Sequence, residues 1–196
     1  GQPTVHVAFD EATAILAGDA LQTLAFEALA AAPQAPAQRI AMLAELARAS
    51  GVAGMCGGQA LDIDATGQAI ALIELERLHA LKTGALLRCA VRLGALAANA
   101  TPAQAEQLDR YADALGLAYQ VRDDLLDIEG DAATLGKTAG KDIAQDKATF
   151  PALLGVDASR ARLEELSAVM RQALDALDAE TGALHALARQ VVERSH

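Results

Sequence analysis

The chain has 196 residues, enough for one well-buried core. It is 53% apolar but only 3% aromatic, and its net charge is -10. That charge argues against a nucleic-acid binder, because phosphate backbones are held by clustered Lys and Arg and none of the 16 basic residues forms a run.

Alanine and leucine supply most of the apolar count, and both are strong helix formers, so the expectation is a single all-α domain over 1–196. Cys56 and Cys89 stand alone without CxxC spacing, which suits a reducing compartment. No uncharged apolar stretch of about 18 residues and no basic-then-apolar leader pattern is visible. A cytoplasmic protein without a membrane span is therefore expected.

In chain order, periodicity and Pro/Gly punctuation predict a first helix from about Asp10 to Ala31, ending before Pro33 and Pro36. A second covers Ala37 to about Leu61, thinned by Gly51, Gly54, Gly57 and Gly58. The third runs from about Ile70 to Ala98, with Leu75, Leu78, Leu81 and Leu86 as its core positions. Thr101 and Pro102 cap a fourth that reaches about Ile128. A Gly-, Thr- and Lys-rich loop follows over Gly130–Gly140, then helices over about Ile143–Leu154, Ala158–Leu177 and Gly182–Arg194.

The most informative segment is Tyr119–Ile128. At about 100° per residue, and with Asp123 at zero, Asp127 falls near 40°, Gln120 near 60° and Asp124 near 100°. Ala118, Val121, Leu125 and Ile128 occupy the opposite face. Three carboxylates on one stripe repel one another, so either solvent or a cation must compensate. Hard oxygen donors on a rigid element, without a thiol or histidine partner, describe Mg²⁺. The histidines His6, His79, His185 and His196 lack zinc-ligand spacing and read as core or surface residues.

Lys137, Lys141 and Lys147 lie in and after the loop behind the carboxylate helix, where a basic segment beside a metal helix suits a polyphosphate. Lys82 and Thr83 add a candidate pair in the middle of the third helix. Gly136-Lys137-Thr138 imitates the end of a P-loop, but five residues separate it from Gly130 where the motif needs four, and a helix precedes it where a strand is required.

With these motifs in this order the chain resembles the trans-isoprenyl diphosphate synthases, most closely those of bacterial farnesyl type. The resemblance rests on Gly1-Gln2-Pro3-Thr4, His6, Phe9, the run Ala14–Leu21, Gly57-Gly58-Gln59 with Asp62, Lys82-Thr83-Gly84, Gln120 through Asp127, and Gly136-Lys137 through Lys147. It implies a helical bundle of the isoprenoid synthase fold and a homodimer. It also implies an Mg²⁺-dependent condensation of isopentenyl diphosphate with an allylic diphosphate, dimethylallyl or geranyl, giving farnesyl or geranyl diphosphate.

By the same resemblance Asp123 and Asp127 ligate Mg²⁺, with Asp124 ligating or supporting. Lys82, Lys137 and Lys147 hold the allylic diphosphate, while Thr83 and Gln120 stand near the developing cation. Gln59, Asp62 and Asp142 support them from behind. A first aspartate-rich motif normally precedes the segment matching Gly1-Gln2-Pro3. The expectation is that this chain is the C-terminal part of such a synthase, without the N-terminal helices, and a poor catalyst alone. A non-catalytic helical subunit and a terpene cyclase are the competing readings.

Overall fold

The computed structural model describes residues 2–133 and 148–195, with side chains described up to 129 in the first stretch. Every element among the described residues is helical. The chain divides into two compact units, 1–46 and 47–196.

The first unit holds α1 (Val5–Ala8), α2 (Glu11–Ala30) and most of α3 (Pro36–Ser50). Asp10 caps α2, its carboxylate accepting the Thr13 N–H at 2.7 Å. At the other end Arg39 Nη1 donates to the Ala30 carbonyl at 2.7 Å, satisfying an acceptor that the end of a helix leaves open. Helix α2 is rich in apolar residues and none of its residues is buried; Ile15, Leu16, Leu21 and Leu24 are all exposed.

The second unit is organised on α7 (Pro102–Ala133), 32 residues long. Thr101 and Gln104 form its N-terminal box: the Thr101 N–H donates to Gln104 Oε1 at 2.9 Å and the Gln104 N–H to Thr101 Oγ1 at 3.3 Å. Tyr111, Leu115, Ala118, Val121 and Leu125 recur at three- and four-residue spacing and are all buried. They join a core with Leu163, Leu166, Met170 and Leu174 of α9 (Val156–Asp175), Leu75 of α5 (Leu72–His79) and Phe150 of α8 (Phe150–Leu154). Each Leu, Val, Met or Phe side chain among them contributes about 1.5–3 kcal/mol by leaving water. Tyr111 also donates its hydroxyl to the Leu184 carbonyl at 3.1 Å, fastening α10 (Gly182–Glu193) to α7.

Three expected helices differ from those observed. The second is broken at 51–54 into α3 and α4 (Met55–Ala65). The stretch 36–65 is long and apolar enough by composition to cross a membrane, yet its two helices have 15 and 11 residues against the about 20 a span requires. The third is interrupted by a π-helical turn, Ala80–Gly84, between α5 and α6 (Ala85–Ala97). A π turn carries an extra residue and rotates whatever follows. That rotation explains why Leu86, expected in the core, is 38% exposed while Cys89 is buried. Finally, α7 continues to Ala133, so the first residues of the expected loop are helical; residues 134–147 lie outside the described residues. The expected helix at 143–154 is described only as α8.

Candidate active site

Two glycines set the spacing of the helices that carry the site. A Cβ at Gly58 on α4 would stand 2.2 Å from the Lys82 nitrogen, and one at Gly116 on α7 would stand 2.8 Å from the Gly84 Cα. Only glycine lets α4 and α7 lie directly on the backbone of the π turn. The π turn in turn places Lys82 toward α4 and Thr83 toward α7.

Lys82 Nζ donates to Asp62 Oδ2 at 2.6 Å, a pair in which the side chains are 32% and 18% exposed. On the other side a polar chain runs from the π turn through α7 to α8. Thr83 Oγ1 donates to Gln120 Oε1 at 3.5 Å, and Gln120 Nε2 donates to Asp124 Oδ1 at 2.9 Å. The Phe150 N–H donates to Asp124 Oδ2 at 2.9 Å. A carboxylate accepts only, so it orients the Gln120 amide with nitrogen toward Asp124 and oxygen toward Thr83.

The three aspartates of the motif are therefore unlike one another. Asp124 is buried with both carboxylate oxygens engaged. Asp123 has a 55% exposed side chain and accepts from Arg194 Nη2 at 2.8 Å. Asp127, half-buried one turn further on, has no hydrogen-bond or ion-pair partner among the described residues. Asp123 and Asp127 fit a hard divalent cation: both are oxygen donors, and they sit at i and i+4 on one rigid helix. No group of three or more Asp, Glu, His or Cys side chains able to hold a metal is found among the described residues. Two carboxylates leave the other positions to water and substrate phosphate, which is how Mg²⁺ is commonly held.

His79, on the last turn of α5, is buried and stacks on Phe150 with ring centroids 5.8 Å apart. Neither ring nitrogen has a hydrogen-bond partner among the described residues. Burial above all, with the nearby Lys82 ammonium, pulls its pKa down to about 4 against the opposing fields of Asp62 and Asp123.

The polyprenyl synthetase family model matches residues 1–186. The chain belongs to the polyprenyl synthetase family. The farnesyl diphosphate synthase of Escherichia coli (strain K12) is 53% identical over 202 residues, covering 100% of this chain and 68% of that protein. Among solved structures, an FPP/GFPP synthase from Zymomonas mobilis superposes with a TM-score of 0.87 at 39% identity, over 98% of this chain and 65% of that one. A geranyltransferase from Helicobacter pylori, complexed with magnesium and isoprenyl diphosphate, gives a TM-score of 0.80 at 31% identity, over 97% and 63%. The chain thus spans about two thirds of the length of the relatives it matches.

Within this polyprenyl synthetase chain, Asp62, Lys82, Thr83, Gln120 and Asp124 are joined in two hydrogen-bonded groups that meet at the π turn. Gln59 lies half-buried on α4 three residues before Asp62, and its side chain makes no hydrogen bond among the described residues. Lys137, Asp142 and Lys147 lie outside the described residues. Sequence reasoning missed Phe150, His79 and Arg194. The first two belong to apolar-looking contexts, and Arg194 lies 71 residues from its partner Asp123.

Proposed function

We propose that the protein is a short-chain trans-prenyltransferase that condenses isopentenyl diphosphate with an allylic diphosphate, dimethylallyl or geranyl, to release farnesyl or geranyl diphosphate. The observation that carries this reading is the meeting at one π turn of a lysine–aspartate pair, Lys82–Asp62, and a polar chain, Thr83–Gln120–Asp124, on the helix that also carries the carboxylates of Asp123 and Asp127. The family match and the relatives named farnesyl diphosphate synthase support it.

In this reading the catalytic residues are Lys82, Thr83 and Gln120. Asp123 and Asp127 hold Mg²⁺, and Asp124 supports them from the buried side. Mg²⁺ bound there would neutralise charge on the leaving diphosphate. Lys82 binds a diphosphate oxygen, with Asp62 holding its ammonium in place; Lys137 and Lys147 are assigned to the same diphosphate by family resemblance. As the allylic C–O bond breaks, its electron pair leaves with the diphosphate and a carbocation remains. The Gln120 amide oxygen and the Thr83 hydroxyl, fixed dipoles, face that positive charge. The double bond of isopentenyl diphosphate attacks the cation, and a proton is then lost, for which the departed diphosphate serves as base. No Ser, Cys or His nucleophile is required.

Gln59 and Asp142 are proposed as supporting residues, and a single all-helical domain, homodimerisation and a cytoplasmic location as properties of the whole protein. The uninterrupted family match across both compact units supports the first. The exposed Ile15, Leu16, Leu21 and Leu24 of α2 support the second, because a helix this rich in apolar side chains is normally covered.

The test is to incubate the complete protein with isopentenyl diphosphate and dimethylallyl or geranyl diphosphate in Mg²⁺ and identify the product by chain length. The proposal expects a C10 or C15 diphosphate, abolished by EDTA. No condensation in Mg²⁺ would exclude it.

A further inference from the structure

Beyond α10 the chain returns to the carboxylate helix. Arg194 Nη2 lies 2.8 Å from Asp123 Oδ1 and 3.1 Å from the Tyr119 carbonyl. Its guanidinium carbon stands 4.1 Å from the centroid of the Tyr119 ring, a cation–π contact. Its own carbonyl accepts from Arg122 Nε at 2.9 Å, and Arg122 pairs with Glu129 at 3.1 Å. One turn of α7 therefore grips Arg194 by side chain and backbone. The arginine side chain is 18% exposed, whereas the Asp123 side chain is 55% exposed. The cation is built in and the carboxylate remains accessible.

We propose that Arg194 is a resting counter-cation for Asp123: it neutralises this carboxylate in the metal-free protein and so disfavours loading of a divalent cation until a diphosphate brings compensating negative charge. The inference rests on the reading of Asp123 as a metal ligand. Two effects of the contact oppose each other. Holding the carboxylate still favours a metal, but aspartate is short and has few rotamers to lose. A guanidinium on one carboxylate oxygen puts a unit charge roughly 5 Å from a doubly charged ion at the other. Even in a water-like dielectric with salt, that repulsion outweighs the gain in order and lowers affinity by roughly three- to tenfold. A bound diphosphate, with several negative charges, reverses the balance. Metal and diphosphate then load together, and the protein avoids holding a bare cation on this stripe.

The test is a titration of the complete protein with Mn²⁺, following free Mn²⁺ by electron paramagnetic resonance, without and with inorganic diphosphate. Arg194→Gln is expected to bind Mn²⁺ alone three- to tenfold more tightly than the unmodified protein, and the gap is expected to close with diphosphate. Arg194→Lys keeps the charge but not the stacking on Tyr119, and is expected to tighten Mn²⁺ binding less than the uncharged variants do. Arg194→Met, which retains packing on Tyr119, serves as a second uncharged variant should the glutamine variant fold poorly. In an Asp123→Asn background the Arg194→Gln effect is expected to vanish. Uncharged variants that bind Mn²⁺ no more tightly, or a gain that persists without the Asp123 carboxylate, would overturn the inference. If Asp123→Asn leaves Mn²⁺ binding with diphosphate unchanged, the ligand assignment itself fails and takes this inference with it. If it weakens binding while the uncharged variants tighten nothing, only this inference falls.

Discussion

The buried carboxylate of Asp124 accepts the main-chain N–H of Phe150 at 2.9 Å, tying the middle of α7 to the first residue of α8. The second aspartate of the motif thus does structural work that its neighbour Asp123 does not. Asp124→Ala would leave the Phe150 N–H and the Gln120 amide without their acceptor in a buried place, at a cost of about 3 kcal/mol. Asp123→Asn, at an exposed position, is expected to change stability by less than about 1 kcal/mol. Denaturant unfolding of the two variants checks the split, and equal stabilities would contradict it.

Gly58→Ala is expected to destabilise by about 3 kcal/mol or more, since its Cβ would meet the Lys82 nitrogen at 2.2 Å and rigid backbone cannot yield cheaply. The same change at Gly18, within exposed α2, meets nothing within 4 Å and is expected to stabilise by about 0.5–1 kcal/mol. Thermal melts of the two variants give opposite signs if the packing is as described.

Arg88 and Arg92 on α6 both pair with Asp109 on α7, at 3.1 and 2.7 Å, and hold its carboxyl down to about 2, against an ordinary value near 3.8. Hydrogen bonds from Arg92 contribute most to that depression. The folded pKa lies below the unfolded one, so the stabilisation is fully present above pH of about 4 and is lost as pH falls toward 2. Partial solvent screening limits it to about 1 kcal/mol. Asp109→Asn is expected to remove that acid-limb dependence, measured as melting temperature against pH.

His79 gives a second pH window. Its folded pKa of about 4 lies below the ordinary 6.5, so the unfolded chain binds the extra proton first and stability declines as pH drops from about 6.5 to 4. His79→Leu removes two ring nitrogens that have no hydrogen-bond partner among the described residues, and is expected to flatten this decline without lowering stability at pH 7 by more than about 1 kcal/mol. An unchanged pH profile in the variant would refute the assignment.

Much of this was legible beforehand, and the failures have physical causes. The opposition of Val121 and Leu125 to Asp123 and Asp127 follows from helical period alone, and Thr101 with Pro102 announces the start of α7. The π turn was hidden because Ala80–Gly84 differs from an α-helix by one residue of phase, a change seen only when α4 and α7 press on it. The same hidden turn misplaced Leu86. Sequence spacing put Asp124 on the same stripe as its neighbours, yet a position near 100° on the wheel sits at the border of the buried face, where the Phe150 N–H claims it. Arg194 was invisible for a different reason: a lone arginine carries no local signal of a partner on another helix.

The central claim is that Asp123 and its neighbours serve a Mg²⁺-dependent condensation of two diphosphates. Its most direct test compares the complete protein with Asp123→Ala in a Mg²⁺ titration of isopentenyl diphosphate condensation, with melting temperature measured in parallel. The account predicts a loss of about a hundredfold or more in kcat at saturating substrate with the melting temperature essentially unchanged. Condensation that survives Asp123→Ala at its original rate, or that is indifferent to EDTA, would contradict it.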